Sequence, residues 1–150
     1  MSHYKRVLLA VDFQSDNLEI IEKVQQVTRD NNAELLLVHV NEPINPAFMA
    51  DGMSNWGGQV ASLETDIRRE STKKLKDLSD RLGVSADLSF FCEGRPANSI
   101  HEVVDENEVD LVVLGTHGQH GLQLLLGSTA NAVLHGANCD VLAVRVKKEA

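Results

Sequence analysis

The sequence has few residues that could hold a chain together without a hydrophobic core. It contains 2 cysteines and 3 prolines in 150 residues, and aromatic residues make up 4%. Cys92 and Cys139 are far apart and form no Cys-x-x-Cys pair, which indicates buried free thiols and a reducing compartment, the cytoplasm. Because 43% of the residues are hydrophobic, a chain of this length can bury a core unaided. We predict one domain over residues 1–150.

Positive charge is also scarce. The chain has 14 Lys and Arg against 22 Asp and Glu, a formal net charge of -8, whereas a nucleic-acid surface needs clustered basic residues. The basic concentration at residues 68–76 is interleaved with acidic residues, which is typical of a solvated helix face. No apolar run is long enough for a signal peptide or a membrane span. The sequence therefore predicts a soluble protein with no nucleic-acid partner and no membrane partner.

Several catalytic motifs are missing. Gly127 is followed by Ser128, not by the Lys-Ser or Lys-Thr of a P-loop, and neither a Gly-x-Ser-x-Gly elbow nor a His-Glu-x-x-His pair occurs. His39 lies inside an apolar run, where a packed and hydrogen-bonded role is typical. His117 and His120 have no nearby acidic or thiol ligand, so they are weak evidence for a metal site. We predict no catalytic residue and no protein metal site, with weak ATPase activity left open.

The chain alternates between apolar runs rich in β-branched residues and segments with helical spacing. This alternation predicts an α/β domain whose parallel sheet is covered on both faces. The predicted strands are the five runs Arg6 to Val11, Glu34 to Val40, Asp87 to Phe91, Asp110 to Leu114 and Val141 to Val146.

Four segments between these runs are predicted helices. In the first, Ser15 caps a helix with Leu18, Ile21, Val24 and Val27 on one face; the second carries Val60, Leu63, Ile67, Leu75, Leu78 and Leu82 and ends at Gly83. The third begins at Pro96 and buries Ile100, Val103 and Val104; the fourth begins at Ser128, carries Ala132, Val133 and Ala137, and ends at Gly136. Residues Asn41 to Gly58 have no steady period and form a long loop, interpreted as a lid, an interface or a mobile surface excursion.

A glycine-rich segment between the fourth run and the fourth helix is the best candidate for a ligand site. Its glycines let the backbone approach a bound group, and Ser128 and Thr129 lie where exposed helix N–H groups favour an anion such as phosphate. The alternative is a turn in which Ser128 only caps the helix. Ligands of open parallel sheets bind beyond the carboxyl ends of the strands, which adds Asp12, Asn41, Glu93 and Gly94 as candidates. Asp12 either contacts a ligand or caps the first helix.

Four segments together resemble the universal stress protein family. They are Val7-Leu-Leu-Ala-Val-Asp12, Leu36-Leu-Val-His-Val40, Asp110-Leu-Val-Val-Leu-Gly115 with its glycine loop, and Val141-Leu-Ala-Val-Arg145. The resemblance implies an open five-stranded parallel sheet of order 3-2-1-4-5 with helices on both faces, a Rossmann-like fold of the adenine nucleotide alpha hydrolase type. This order places Asp12 beside the glycine loop. The family also implies a homodimer formed through the last strand, Val141 to Val146.

Members of the family that bind ATP resemble a Gly-x-x-Gly-x9-Gly-Ser/Thr pattern, with an early Asp and a valine main chain at the adenosine end. The matching positions are Asp12, Val40, Gly115, Gly118, Gly127 and Ser128, with Thr129 in the same helix turn, and a divalent ion would accompany the phosphates. Here residues 119–126, eight in number, separate the second and third glycines. This spacing is one residue short and also resembles the branch that does not bind ATP.

Three interpretations of function remain open from the sequence. The first is a stress-response dimer that binds ATP or a related nucleotide and signals through protein partners. The second is a nucleotide-hydrolysing switch in which Asp12 or His117 orients water. In the third, the protein is a dimer with an empty, vestigial cleft.

Overall fold

The computed structural model of the protein describes residues 4–13, 18–42, 57–115 and 128–145, with the side chains of residues 57–60 and 128 left aside. Five strands and four α-helices alternate in this part of the chain. In order they are β1 Arg6–Ala10, α1 Leu18–Asn31, β2 Glu34–Asn41, α2 Gly57–Leu82, a 3-10 turn Ala86–Leu88, β3 Ser89–Glu93, α3 Pro96–Glu106, β4 Leu111–Gly115, α4 Ser128–Gly136 and β5 Asp140–Val144.

The strands form one parallel sheet of order β3-β2-β1-β4-β5, which confirms the predicted fold. Strand β1 pairs with β2 on one side and with β4 on the other. The strand order therefore reverses between β1 and β4: β2 and β3 lie on one side of β1, and β4 and β5 lie on the other. A parallel sheet of this kind opens a crevice at the carboxyl end of those two strands.

Apolar residues alternate along the central strands and fill both faces of the sheet. One core joins the sheet to α1 and α2 and includes Val7, Leu9, Val24, Leu37, Leu75, Leu78 and Val113. The other joins the sheet to α3 and α4 and includes Leu8, Leu36, Val38, Ile100, Val103, Val112 and Val133. Burial on both faces explains why the strands read as continuous apolar runs.

The strand boundaries differ slightly from the prediction. Strand β3 begins two residues later than expected because Ser85 O accepts a 3.0 Å bond from Leu88 N, which closes a 3-10 turn first. Strand β4 begins after Asp110, whose carboxylate accepts bonds from the main-chain N–H groups of Lys5 and Arg6 at 2.6 and 2.9 Å. Strand β5 is Asp140–Val144, whereas Val141 to Val146 was predicted.

The helices begin and end close to their predicted positions. Gly83 has φ of 70°, and Val84 N donates to Ser79 O at 2.8 Å, which is the Schellman ending expected of a glycine cap. Helix α4 spans Ser128–Gly136, and its buried side chains include Ala130 and Val133. Ala132 is exposed and Ala137 follows the helix, contrary to the predicted face. The predicted cap Ser15 lies outside the described residues.

Helix α2 contains the main departure from the predicted core. Leu75 and Leu78 are 4% and 8% exposed, but Leu63 and Ile67 are 53% and 37% exposed. The reason is length: a helix of 26 residues is about 39 Å long, whereas the neighbouring five-residue strand β3 is only about 17 Å long. We call residues 57–67 the overhang of α2 and residues 72–82 its packed part.

Candidate functional site

The carboxyl ends of β1, β2 and β4 bring three of the predicted site residues to one place. Ala10 is paired with Val38, and Val11 N continues the ladder with a 2.8 Å bond to Val38 O. Continuing this register places Asp12 beside Val40, about one strand spacing of 4.8 Å away. Leu9 pairs with Val113, so the same extension places Asp12 next to the end of β4, where Gly115 lies. Asp12 is half-buried there.

The ladder pattern also fixes the direction of the main-chain groups at this edge. Residues along a strand point alternately to either neighbour. Val38 O bonds to β1, so the N–H and C=O of Val40 are directed to the same side. The β1–β4 register likewise directs the main chain of Gly115 toward β1. The two backbones therefore face each other across the point where β1 ends, with Asp12 between them.

His39 supports this arrangement from the side of β2. Its Nδ1 lies 2.9 Å from Val11 O, a contact that requires a proton on Nδ1 because a carbonyl can only accept. The imidazole packs between Phe13 and Phe91, with ring centroids 4.7 and 5.9 Å away. This matches the predicted packed, hydrogen-bonded role. The structure adds that His39 holds the main chain directly before Asp12.

The described part of helix α1 is Leu18–Asn31, and residues 14–17, directly before it, lie outside the described residues. The alternative in which Asp12 caps the first helix therefore stays a prediction, beside its predicted contact with a ligand. Thr129 is half-buried in the first turn of α4. Gly118, Gly127, His117 and His120 lie outside the described residues. Ser128 is the first residue of α4.

An ion pair that was not predicted lies at the carboxyl end of β3, the outermost strand on the β2 side of the site. Arg68 contacts Glu93 through two parallel bonds of 2.9 Å, Nε to Oε1 and Nη2 to Oε2. Glu93 ends β3 and pairs with Asn41 of β2. The sequence predicts a solvated helix face at Arg68 and a candidate ligand contact at Glu93, because Glu93 follows a strand. Nothing in their local patterns connects the two residues.

The thiols of both cysteines have raised pKa values. Burial raises the pKa of the Cys92 thiol, and the charges of Glu102 and Glu106 raise it further. Burial also raises the pKa of Cys139, with Asp140 as the next cause. Both thiols are therefore protonated near neutral pH, whereas a reactive cysteine needs thiolate character.

The described ranges of the chain contain neither a metal-binding cluster nor a membrane-spanning helix. No group of three His, Cys, Asp or Glu side chains there is arranged to hold a metal ion. Among the helices of the same ranges, none combines the length and the apolar composition needed to cross a bilayer.

Known structures share this fold. The universal stress protein UspA from Lactobacillus plantarum superposes with a TM-score of 0.75 at 20% identity, over 97% of this chain and 100% of that chain. A universal stress protein solved in complex with cAMP superposes with a TM-score of 0.61 at 22% identity, over 96% and 98%. At these identities the similarity supports the architecture.

Sequence comparisons identify the family. The chain is 38% identical over 149 residues to universal stress protein A homolog 2 of Coxiella burnetii, covering 98% of this chain and 99% of the relative. It is also 38% identical to universal stress protein A homolog 1 of that organism, over 97% and 99%. The sequence model of the universal stress protein family matches residues 3–145. The chain therefore belongs to the universal stress protein family.

Proposed function

We propose that this protein is a cytoplasmic, dimeric stress-response protein that binds an adenine nucleotide at the carboxyl ends of β1, β2 and β4. It acts by binding and signalling, with no catalytic residue. The observation that carries the proposal is the pair of main-chain segments at Val40 and Gly115, which face each other across Asp12 at the point where the strand order reverses. A fold relative in complex with cAMP supports the choice of an adenine nucleotide.

Each residue has a distinct role in this proposal. Val40 offers main-chain N–H and C=O groups to the adenine edge, and the carboxylate of Asp12 accepts bonds from ribose hydroxyls. The backbones of Gly115, Gly118 and Gly127 approach the phosphates. Ser128 and Thr129 offer donors at the start of α4, where the helix dipole favours negative charge. A divalent ion would accompany the phosphates and neutralise part of their charge.

The shortened glycine segment sets the expected affinity. One residue of extended chain spans up to about 3.6 Å. The donor–acceptor distance of a good hydrogen bond varies by only about 0.5 Å. Charge-assisted hydrogen bonds contribute about 1.5 to 3 kcal/mol each, and losing one of them weakens binding at least about tenfold. We therefore expect binding weaker than micromolar for ATP, with smaller losses for ligands that have fewer phosphates.

Equilibrium dialysis of nucleotide-free protein against radiolabelled ATP and cAMP tests the proposal. We expect saturable binding that Gly127→Val and Asp12→Asn weaken. Asp77→Asn, which changes an exposed carboxylate on α2, should leave the affinity unchanged. Absence of binding by the unmodified protein at millimolar ligand would overturn the nucleotide proposal and favour a vestigial cleft. Phosphate release above background that Asp12→Asn abolishes would instead establish a hydrolysing switch.

The dimer is proposed to form through the free edge of β5. Asp140 N donates to Asp110 O, so the residues that alternate with it, Val141 and Ala143, direct their main chains away from β4. Val144 is only 8% exposed within the chain. A charged residue at Val144 would therefore disturb the core as well as the edge. Ala143 is exposed and is the better position for a test.

The corresponding test is Ala143→Pro. Proline removes an outward N–H and places its ring where a partner strand would pair, without removing a bond to β4. We expect sedimentation to show a monomer with an unchanged circular dichroism spectrum. Ala143→Ser, which keeps the N–H, should remain dimeric. A dimer that persists in Ala143→Pro would exclude this edge as the interface.

A further inference from the structure

The overhang of α2 rises from the same sheet edge as the proposed nucleotide site. Arg68 directly follows the overhang and contacts Glu93, the last residue of β3. Helix α2 therefore runs antiparallel to the strands, and its residues before Arg68 project beyond the carboxyl edge. Eleven residues, 57–67, extend about 16 Å along a helix axis.

The Arg68–Glu93 pair is joined to the main chain beside Val40. Glu93 pairs with Asn41, and Gly94 N donates to Asn41 O at 3.1 Å. Asn41 follows Val40, whose main-chain groups are directed to the proposed adenine position. A displacement of the end of β3 would therefore be transmitted to Val40 through one ladder bond and one peptide unit.

Packing alone provides little to hold the overhang. The described side chains of residues 61–67 are exposed, apart from half-buried Glu64, whereas the buried residues of α2 are Leu75, Leu78 and Ser79. The ion pair is itself partly in water, with the side chains of Arg68 and Glu93 47% and 44% exposed. Its two parallel bonds give it the bidentate geometry in which an exposed pair does fix an orientation.

We propose that Arg68 and Glu93 are a positioning pair for the adenosine end of the nucleotide. The pair ties the start of the overhang to the strand end next to Val40, and so fixes the wall of the cleft on the β3 side. This inference rests on the proposed function and extends it: neither residue belongs to the nucleotide-binding pattern, and neither needs to touch the phosphates.

The experiment compares Arg68→Met with Lys74→Met in the same helix. Methionine keeps the length and the helix propensity of both residues, and the ion-pair partner of Lys74 among the described residues is Glu70, within α2. We expect Arg68→Met to raise the dissociation constants of ATP and adenosine by the same factor, up to about fivefold, the equivalent of about 1 kcal/mol. Inorganic tripolyphosphate should bind unchanged. The double variant Arg68→Glu/Glu93→Arg should recover part of the loss.

Salt provides a second readout, because adenosine carries no charge. The dissociation constant of adenosine should differ less between Arg68→Met and the unmodified protein at about 1 M NaCl, because exposed charges are then screened within about 3 Å. Hydrogen exchange gives a readout without any ligand: amides of residues 57–67 should exchange faster in Arg68→Met, while those of residues 72–82 stay protected.

The outcomes separate this inference from the function on which it rests. If the unmodified protein binds neither ATP nor adenosine, the proposed function fails, and the positioning role fails with it. If the unmodified protein binds both ligands and Arg68→Met binds them equally well, only the positioning role is overturned. An equal loss for ATP and tripolyphosphate, or a comparable loss in Lys74→Met, would also overturn it.

Discussion

The overhang and the packed part of α2 carry the same spacing of apolar residues but lie in different surroundings. Leu63 and Ile67 are four residues apart and Leu75 and Leu78 are three apart, so each pair lies on one face of the helix. Only Leu75 and Leu78 are buried. The sheet is too short to cover the whole helix. A periodic pattern therefore shows that a segment is helical, while the length of its neighbours decides how much of the apolar face is covered. The overhang projects at the carboxyl edge of the sheet, beside the end of β3.

The largest expected effect tests this difference directly. Leu75→Ala removes a side chain that is 4% exposed, and leaves a cavity between α2 and the sheet. We expect a loss of about 3 kcal/mol in the free energy of unfolding. Leu63→Ala should change it by less than about 0.5 kcal/mol. Urea denaturation measures both changes in the free energy of unfolding, provided that the variants have the same m-value as the unmodified protein. Comparable losses for the two variants would show that the overhang is as well covered as the packed part.

A smaller effect is expected at the end of the packed part. Gly83 has φ of 70°, and a Cβ added there meets no atom within 4 Å. Gly83→Ala therefore costs only the strain of a left-handed backbone, about 1 kcal/mol. Gly83→Asn should cost less, because asparagine tolerates this region, as Asn32 does with φ of 50° after α1. Thermal denaturation would measure both changes. Equal losses of stability in Gly83→Ala and Gly83→Asn would show that the left-handed backbone conformation of residue 83 does not cause the loss.

Local sequence patterns predicted most of the fold because they follow from local chemistry. The five apolar runs became strands within about two residues, and Gly83 ended α2 where a residue with positive φ is required. The strand order came from the family resemblance. The exposure of Leu63 and Ile67 could not be predicted in this way, because it depends on how far β3 extends beside α2 in space.

The candidate site was predictable only in part, for a similar reason. Asp12, Val40 and Gly115 each follow or end an apolar run, so the general rule for parallel sheets places them at one edge. The ion pair of Arg68 and Glu93 joins residues 25 apart in sequence. The charged residues around Arg68 predict only a solvated helix face. Only the antiparallel course of α2 brings Arg68 to the end of β3.

The smallest expected effect compares two ion pairs of the same helix. Lys74 Nζ lies 3.2 Å from Glu70 Oε1, with side chains 47% and 68% exposed, and both residues belong to one stretch of α2. Such an i, i+4 pair contributes at most about 0.5 kcal/mol, so Lys74→Met should lower the free energy of unfolding by no more than that. The loss should disappear at about 1 M NaCl.

Arg68→Met should cost more, up to about 1 kcal/mol, because it removes the bidentate ion pair that joins α2 to the end of β3. Urea denaturation of both variants at low and high salt gives the comparison. If Lys74→Met proves as costly as Arg68→Met, contacts within the helix stabilise α2 as much as its connection to the sheet does. The overhang would then be a stiff extension of the packed part, held by its own helix, and the end of β3 would have no special part in fixing it.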